Sequence, residues 1–177
     1  ESHVVRSLMY PMLLGYVRIS HYSAAKASTA KPMLEQLCDV NYTTYGWGST
    51  AVADSLLGIK YLYTDGSRPI PEPYQKLELG TELEVYENPY ALPLAYVGSA
   101  DALNVDVEES SNTFQLQNEM LRALVPGSAD ALLPAQDVTV DDQAKGLTVY
   151  FTAPVSGPCY LAVPDPGHFL PADGKLD

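Results

Sequence analysis

The strongest helical pattern in the chain begins at Asn112 or Thr113, either of which can cap the N-terminus of a helix. Pro126-Gly127 ends the pattern, because proline cannot continue a helix and glycine readily takes the turn that follows. One face of this predicted helix is formed by Leu116, Gln117, Met120, Leu121 and Leu124.

A shorter helix is predicted from about Thr29 to Asp39, with Pro32 in its first turn, where a missing N–H is harmless. Its apolar stripe consists of Met33, Leu34, Leu37 and Cys38.

Another short helix is predicted after Ser49 or Thr50 as N-cap, and it runs through Leu57. Gly58 is then suited to the left-handed position that closes a helix, because it has no Cβ to clash.

Strands are predicted where β-branched and aromatic residues cluster between turn signals. Two of these runs flank Gly80 and predict a hairpin. The predicted strands of the first part of the chain cover residues 16–20, 59–63, 74–79, 83–87 and 94–97.

After residue 136 the pattern becomes β-rich throughout, with strands predicted at 138–140, 147–152 and 159–163. A β-sandwich usually needs about seven strands, so these three must pair with the preceding sheet or belong to an incomplete module. We therefore predict an α+β fold: a mixed helix and strand domain over residues 1–128, followed over residues 129–177 by the β-rich start of a sandwich-like module.

Charge excludes several functions. The formal net charge of the 177 residues is -12 at pH 7, which argues against nucleic acid and other polyanions as direct partners. The same charge repels anionic lipid.

The longest apolar run, residues 8–17, is interrupted by Pro11 and Gly15 and is too short to span a bilayer. With no signal-like start at Glu1, the chain is expected to be a soluble, processed or excised segment of a larger protein.

The sequence gives little indication of a metal site or a catalytic nucleophile. Cys38 and Cys159 lack zinc-ribbon spacing; a disulfide between them and two buried thiols both remain open. The three histidines do not follow metal-ligand spacing, and no serine-hydrolase elbow occurs. Glu108-Glu109 and Asp141-Asp142 are predicted in loops, where carboxylates can bind calcium, but neither pair fits a specific calcium motif. No catalytic residue, metal ligand or cofactor is predicted.

Thirteen tyrosines and one tryptophan are the most unusual feature of the composition. A tyrosine offers a flat apolar face to a sugar ring and a hydroxyl to its polar edge, although in strands such as 59–63 the residue more often serves packing. The aromatic residues in loop-like sequence are the better candidates for a glycan-binding surface: Tyr22, Tyr42, Tyr45 and Trp47.

Four segments, in this order and spacing, resemble the YfhO family of bacterial polytopic membrane proteins. They are Gly15-Tyr16-x-x-Ile19-Ser20-His21-Tyr22-Ser23, Leu56-Leu57-Gly58-Ile59-Lys60-Tyr61, Glu87-Asn88-Pro89-Tyr90-Ala91-Leu92-Pro93 and Phe114-x-x-Gln117-Asn118. The resemblance covers about residues 10 to 125. It implies an extracytoplasmic region attached to a many-helix membrane part that looks like a lipid-linked-sugar glycosyltransferase of the GT-C type, a class associated with envelope polymers such as lipoteichoic acid. The catalytic acidic residue of that superfamily belongs to the membrane part, so no residue here inherits its role.

Each of these segments also has a structural interpretation. The first adds His21, Tyr22 and Ser23 to the glycan-binding candidates, but it departs from the family pattern at Val17 and Ala24, and its serines could equally satisfy the backbone of a loop. For the prolines after Asn88 and Leu92, and for the amides of Gln117 and Asn118, we favour a structural role.

The leading hypothesis is a non-catalytic domain on the outer face of the bacterial membrane that recognises or positions an envelope glycopolymer beside the membrane-embedded part of the same protein. The first alternative is a purely structural or protein-interaction module without affinity for glycans, which an exposed apolar patch would favour. A secreted glycosidase is a third hypothesis, and it would require two carboxylates facing each other in a cleft.

Overall fold

The computed structural model describes residues 30–37, 50–64, 70, 72–80, 84–107, 112–143 and 146–161. The strand predicted at residues 16–20 lies outside this part of the chain. Within it, helices and two small antiparallel sheets form a mixed α+β fold, as the sequence predicts.

All three predicted helices are present. Helix α1 covers Ala30–Leu37. Helix α2 covers Ala51–Leu56; its N-cap is Thr50, whose side chain accepts a hydrogen bond from the Ala53 N–H. Helix α3 covers Thr113–Leu124, and the Asn112 side chain caps it by accepting from the N–H groups of Phe114 and Gln115.

A three-stranded antiparallel sheet follows α2. Strand β1 is Tyr61–Thr64, β2 is Gln75–Leu77 and β3 is Glu84–Glu87, in the spatial order β1-β3-β2. Strands β2 and β3 pair directly, which confirms the predicted hairpin with shorter strands.

The core lies between this sheet and the helices. Its fully enclosed part contains Leu37 of α1, Ile59 after α2, Leu62 of β1 and Leu116 of α3. Met33, Tyr86 and Met120 are among the partly buried residues that pack around it. Because each element contributes a side chain, burial of apolar surface holds α1, β1 and α3 together.

The prediction of a strand at residues 94–97 is wrong. This segment is a loop; it pairs with none of the strands in the described residues, and Leu94 is 93% exposed. Instead of joining a sheet, the chain turns to the end of α3, where the Ser99 N–H donates to the Leu124 carbonyl at 3.2 Å. A short 3₁₀ helix, η1, follows at Ala100–Asn104.

Strands β4 (Gln136–Gln143) and β5 (Gly146–Thr152) form a separate two-stranded sheet. They pair antiparallel with a register shift between Gln136 and Thr139, and Asp137 has a φ of 52° there. Asp141 and Asp142 therefore lie in a strand and not, as predicted, in a loop. The prediction of a third strand at 159–163 is wrong over residues 159–161, which are irregular. Residues 162–163 lie outside the described part.

Candidate functional site

The six residues that the sequence singles out for glycan binding are not among the described residues. His21, Tyr22 and Ser23 belong to residues 1–29, and Tyr42, Tyr45 and Trp47 belong to residues 38–49. Their role stays a prediction. The candidate site must therefore be sought in the polar and aromatic groups that the structure does describe.

A buried polar junction joins the start of α2 to α3. The Thr50 hydroxyl donates to the Gln117 side-chain oxygen at 2.5 Å, while the Gln117 amide nitrogen donates to the Leu37 carbonyl at 2.7 Å. Thr50 and Gln117 are almost completely buried. Since Leu37 is the last residue of α1, one glutamine connects three helices at a point where unpaired polar groups would be costly.

A second buried group surrounds Asp54, which faces inward from the first turn of α2. The Tyr74 hydroxyl donates to Asp54 Oδ2. Tyr160 lies nearby, where its hydroxyl oxygen accepts from the Ala51 N–H at 3.3 Å and its ring is 6.4 Å from that of Phe114. Two tyrosines thus converge on one end of α2.

Both of these tyrosines are held in the neutral form. Burial raises the pKa of Tyr74, and the neighbouring Asp54 carboxylate raises it further. Burial also raises the pKa of Tyr160, against the opposing effect of the Ala51 N–H. A phenol with a raised pKa is a poor general base at neutral pH, so this group stabilises the fold and does not resemble a proton-transfer site.

Asn88 anchors one of the family-like segments to another. Its side-chain nitrogen donates to the Ser55 hydroxyl at 3.1 Å and to the Ile59 carbonyl at 3.3 Å, and its side-chain oxygen accepts from the Tyr90 N–H at 3.0 Å. Its backbone N–H also donates to the Lys60 carbonyl at 2.7 Å. This amide is fully used within the protein, which supports its structural interpretation.

Asn118 has a similar role at the other side of α3. Its side-chain oxygen accepts from the backbone N–H groups of Ala131 and Leu132, each at 3.0 Å, and its nitrogen donates to the Leu132 carbonyl at 2.8 Å. The amide therefore holds the connection between α3 and β4. Neither Gln117 nor Asn118 presents its amide to solvent, so neither is placed to bind a ligand.

The outward face of the three-stranded sheet carries exposed aromatic rings. Tyr61 and Tyr63 lie two residues apart on β1 and are 38% and 39% exposed, whereas Leu62 between them enters the core. Alternation along a strand therefore places both tyrosines on the same face. The interpretation of these residues as packing residues is incomplete, because each retains a substantial solvent-accessible surface.

Polar side chains border this pair. In the sheet register Tyr61 pairs with Glu87, which pairs with Gln75, so the three residues form a row across the strands. Lys60 Nζ is 3.4 Å from Glu87 Oε1 and 5.3 Å from the centre of the Tyr61 ring. Hydrogen bonding to Tyr61 and Glu87 raises the pKa of Lys60. We call Tyr61, Tyr63, Lys60, Glu87 and Gln75 the tyrosine face.

Other types of site are absent from the described residues. Among them, no three His, Cys, Asp or Glu side chains come together as metal ligands.

Cys159 is exposed with a free thiol, so it does not fit the buried-thiol interpretation, and Cys38 lies outside the described residues. None of the helices in this part of the chain has both the length and the apolar character needed to cross a bilayer.

The model of a family described as "Bacterial membrane protein YfhO" matches residues 4–150. The chain belongs to this YfhO family of bacterial membrane proteins. No curated protein and no solved structure matches it.

Sequence reasoning missed the Asp54 group. One signal was available: in a helix capped by Thr50, Asp54 lies three residues before Leu57 and so shares its inward face. A carboxylate on that face requires a donor, but nothing in the pattern could identify Tyr74, which is 20 residues further along the chain.

Proposed function

We propose that this chain is a non-catalytic, extracytoplasmic part of a membrane glycosyltransferase, and that it recognises or positions an envelope glycopolymer such as lipoteichoic acid as acceptor. Membership of a bacterial membrane protein family supports association with a membrane. The glycosyltransferase activity and the acceptor are inferred from the family resemblance, and the catalytic group is assigned to the membrane part of the protein.

The tyrosine face is the observation that carries the recognition proposal. Two partly exposed rings on one strand, with the Lys60 ammonium over that of Tyr61, present apolar surface that pyranose rings can contact, and Glu87 and Gln75 offer hydrogen-bonding groups beside them. The net charge of -12 repels phosphate groups, as it does other polyanions. Recognition must therefore come from contacts with the sugar rings of the polymer. Tyr22, Tyr42 and Trp47, which the sequence predicts in loops, extend the same proposal.

An amide-shift NMR titration tests this proposal. Simple hexoses and lipoteichoic acid fragments are added to the chain, with and without calcium, and we expect saturable shifts at Tyr61 and Tyr63 or around Tyr22, Tyr42 and Trp47. A Tyr61→Ala/Tyr63→Ala variant should lose the shifts on β1. Tyr150→Ala is the matched control, because Tyr150 is also an exposed strand tyrosine but lies on the other sheet. An unchanged spectrum at millimolar ligand would rule out glycan recognition by this chain.

A second candidate function is a structural or protein-interaction module of the membrane protein, without glycan affinity. The β4–β5 hairpin favours it: Val138 and Val140 on β4 are each 55% exposed, and Val140 pairs with Val149, two residues before Phe151. One face of the hairpin is thus apolar and solvent-accessible, as expected of a surface that packs against another part of a protein.

This alternative makes its own prediction. Val140→Thr keeps the size and β-branching of the side chain but reduces its apolarity, so it should lower the yield of folded full-length membrane protein while sugars leave the spectrum of the isolated chain unchanged. Thr139→Val, on the opposite face of the same strand, is the control and should leave the yield unchanged.

A further inference from the structure

A continuous stretch without charge lies between two acidic positions. From residue 88 to residue 100 the chain contains no Asp, Glu, Lys, Arg or His, whereas Glu87 and Asp101 border it on either side. We call residues 88–100 the uncharged loop. Four of its large side chains are exposed: Leu94 is 93% exposed, Val97 is fully exposed, and Tyr90 and Tyr96 are also exposed.

The uncharged loop is held firmly at both ends. At its start, the Asn88 side chain is bonded to Ser55 and Ile59, and the Leu92 N–H donates to the Ser55 carbonyl at 3.0 Å. At its end, Ser99 is bonded to the Leu124 carbonyl, and a Cβ on Gly98 would lie 3.0 Å from the Leu124 side chain. Pro89 and Pro93 restrict the backbone between these anchors. Exposed apolar side chains on an anchored loop lose little conformational freedom when they bind a surface.

We propose that the uncharged loop inserts into the interfacial layer of a lipid bilayer, with Leu94 and Val97 in the apolar region and Tyr90 and Tyr96 among the headgroups. Aliphatic side chains combined with tyrosine are typical of interfacial anchors, since the tyrosine ring is apolar and its hydroxyl is polar. The loop has no charge that insertion would have to desolvate.

Two observations favour lipid over a protein partner as the occupant of this surface. The chain belongs to a family of bacterial membrane proteins, so a bilayer is the surface always present beside it. A protein partner would also be expected to meet a polar rim at which charged or amide side chains specify its position, and between Tyr90 and Val97 only the two tyrosine hydroxyls offer side-chain hydrogen bonds.

The acidic remainder of the chain determines which lipid surface is preferred. Its net charge of -12 is repelled by anionic headgroups, and this repulsion is screened by salt. Insertion of the loop is hydrophobic and does not weaken with ionic strength. Binding should therefore be strongest on zwitterionic bilayers, and on anionic bilayers it should increase when salt is added, opposite to the behaviour of a basic membrane-binding protein.

Vesicle co-sedimentation of the 177-residue chain tests this proposal. We expect saturable binding to phosphatidylcholine vesicles, and weaker binding to vesicles with three parts in ten of phosphatidylglycerol that recovers in high salt. Leu94→Ser/Val97→Ser should reduce the partition coefficient about tenfold or more, because two aliphatic side chains no longer leave water. Val155→Ser/Leu161→Ser removes two exposed aliphatic side chains elsewhere and should change it less than about twofold.

Circular dichroism of both variants establishes that they fold as the parent does, which the high exposure of all four positions leads us to expect. Absence of binding to phosphatidylcholine vesicles would overturn the proposal and leave a protein as the partner of this loop. Equal loss of binding in the two double variants would overturn it as well. Binding would then depend on the total number of exposed apolar side chains and not on those of the uncharged loop.

Discussion

Thr50 and Gln117 are 67 residues apart in the chain, and their side chains share a buried hydrogen bond of 2.5 Å. The same threonine caps α2 by accepting from the Ala53 N–H at 3.1 Å, and the same glutamine donates to the last carbonyl of α1. A local capping interaction and a long-range contact therefore depend on one hydroxyl group. Loss of that hydroxyl should affect both.

We predict that Thr50→Val destabilises the protein by about 2 to 3 kcal/mol, because it removes an N-cap and leaves the buried Gln117 oxygen without this donor. Thr50→Ser keeps the hydroxyl and should cost less than about 1 kcal/mol. Urea unfolding followed by circular dichroism measures both. Equal stability of the two variants would show that the hydroxyl contributes nothing.

Gly58 should be much less tolerant of alanine than Gly80. Both have positive φ, +67° and +64°, so a side chain strains either backbone. At Gly58, however, an added Cβ would lie 3.0 Å from the Leu92 carbonyl oxygen, whereas at Gly80 no atom of the described residues would lie within 4 Å of it. Gly80→Ala should therefore cost about 1 kcal/mol and Gly58→Ala at least twice that in urea unfolding. Similar losses would mean that the approach of Leu92 to Gly58 is not tight in solution.

The amide of Asn88 should be worth more to stability than that of Asn104, which is exposed at the end of η1. Asn88→Ala removes three hydrogen bonds at a buried position, one accepted and two donated by the side chain. It should lower the free energy of unfolding by about 2 to 4 kcal/mol. Asn104→Ala should stay within about 0.5 kcal/mol of the parent. Thermal unfolding compares the two variants, and a small effect at Asn88 would contradict its role as an anchor.

The local elements could be predicted from sequence because their signals are local. The sequence predicts Ser49 or Thr50 and Asn112 or Thr113 as caps, and Gly58 as the residue that closes α2, because each acts within a turn of its own position; the structure has Thr50 and Asn112 as the caps. The hairpin of β2 and β3 followed from alternation around Gly80. The strand predicted at 94–97 failed because its residue types suit a strand, while the choice between strand and loop depended on a partner that a single segment does not reveal.

The candidate site was less predictable. Outward placement of Tyr61 and Tyr63 depends on which face of β1 packs on α3, and alternation alone allows either face. The partners of Gln117 and Asn118 lie in α1, α2 and the connection to β4, far away in sequence. The residue types do indicate a structural role, because a buried amide must be hydrogen-bonded.

Tyr74→Phe should reveal the Asp54 group through its pH dependence. At neutral pH the variant lacks the hydrogen bond to the buried Asp54 carboxylate and should be less stable than the parent by about 1 to 3 kcal/mol. The pKa of Tyr74 is raised by folding, so its contribution is complete below the unfolded value of about 10 and is lost as the pH rises above it. The stability gap between parent and variant should therefore stay constant from pH 7 to 9 and narrow above pH 10 in urea unfolding. Tyr150→Phe, at an exposed position, is the control and should change the stability little at neutral pH. A gap that widened in alkali would mean that folding lowers the pKa of Tyr74, and the Asp54 contact would then be wrong.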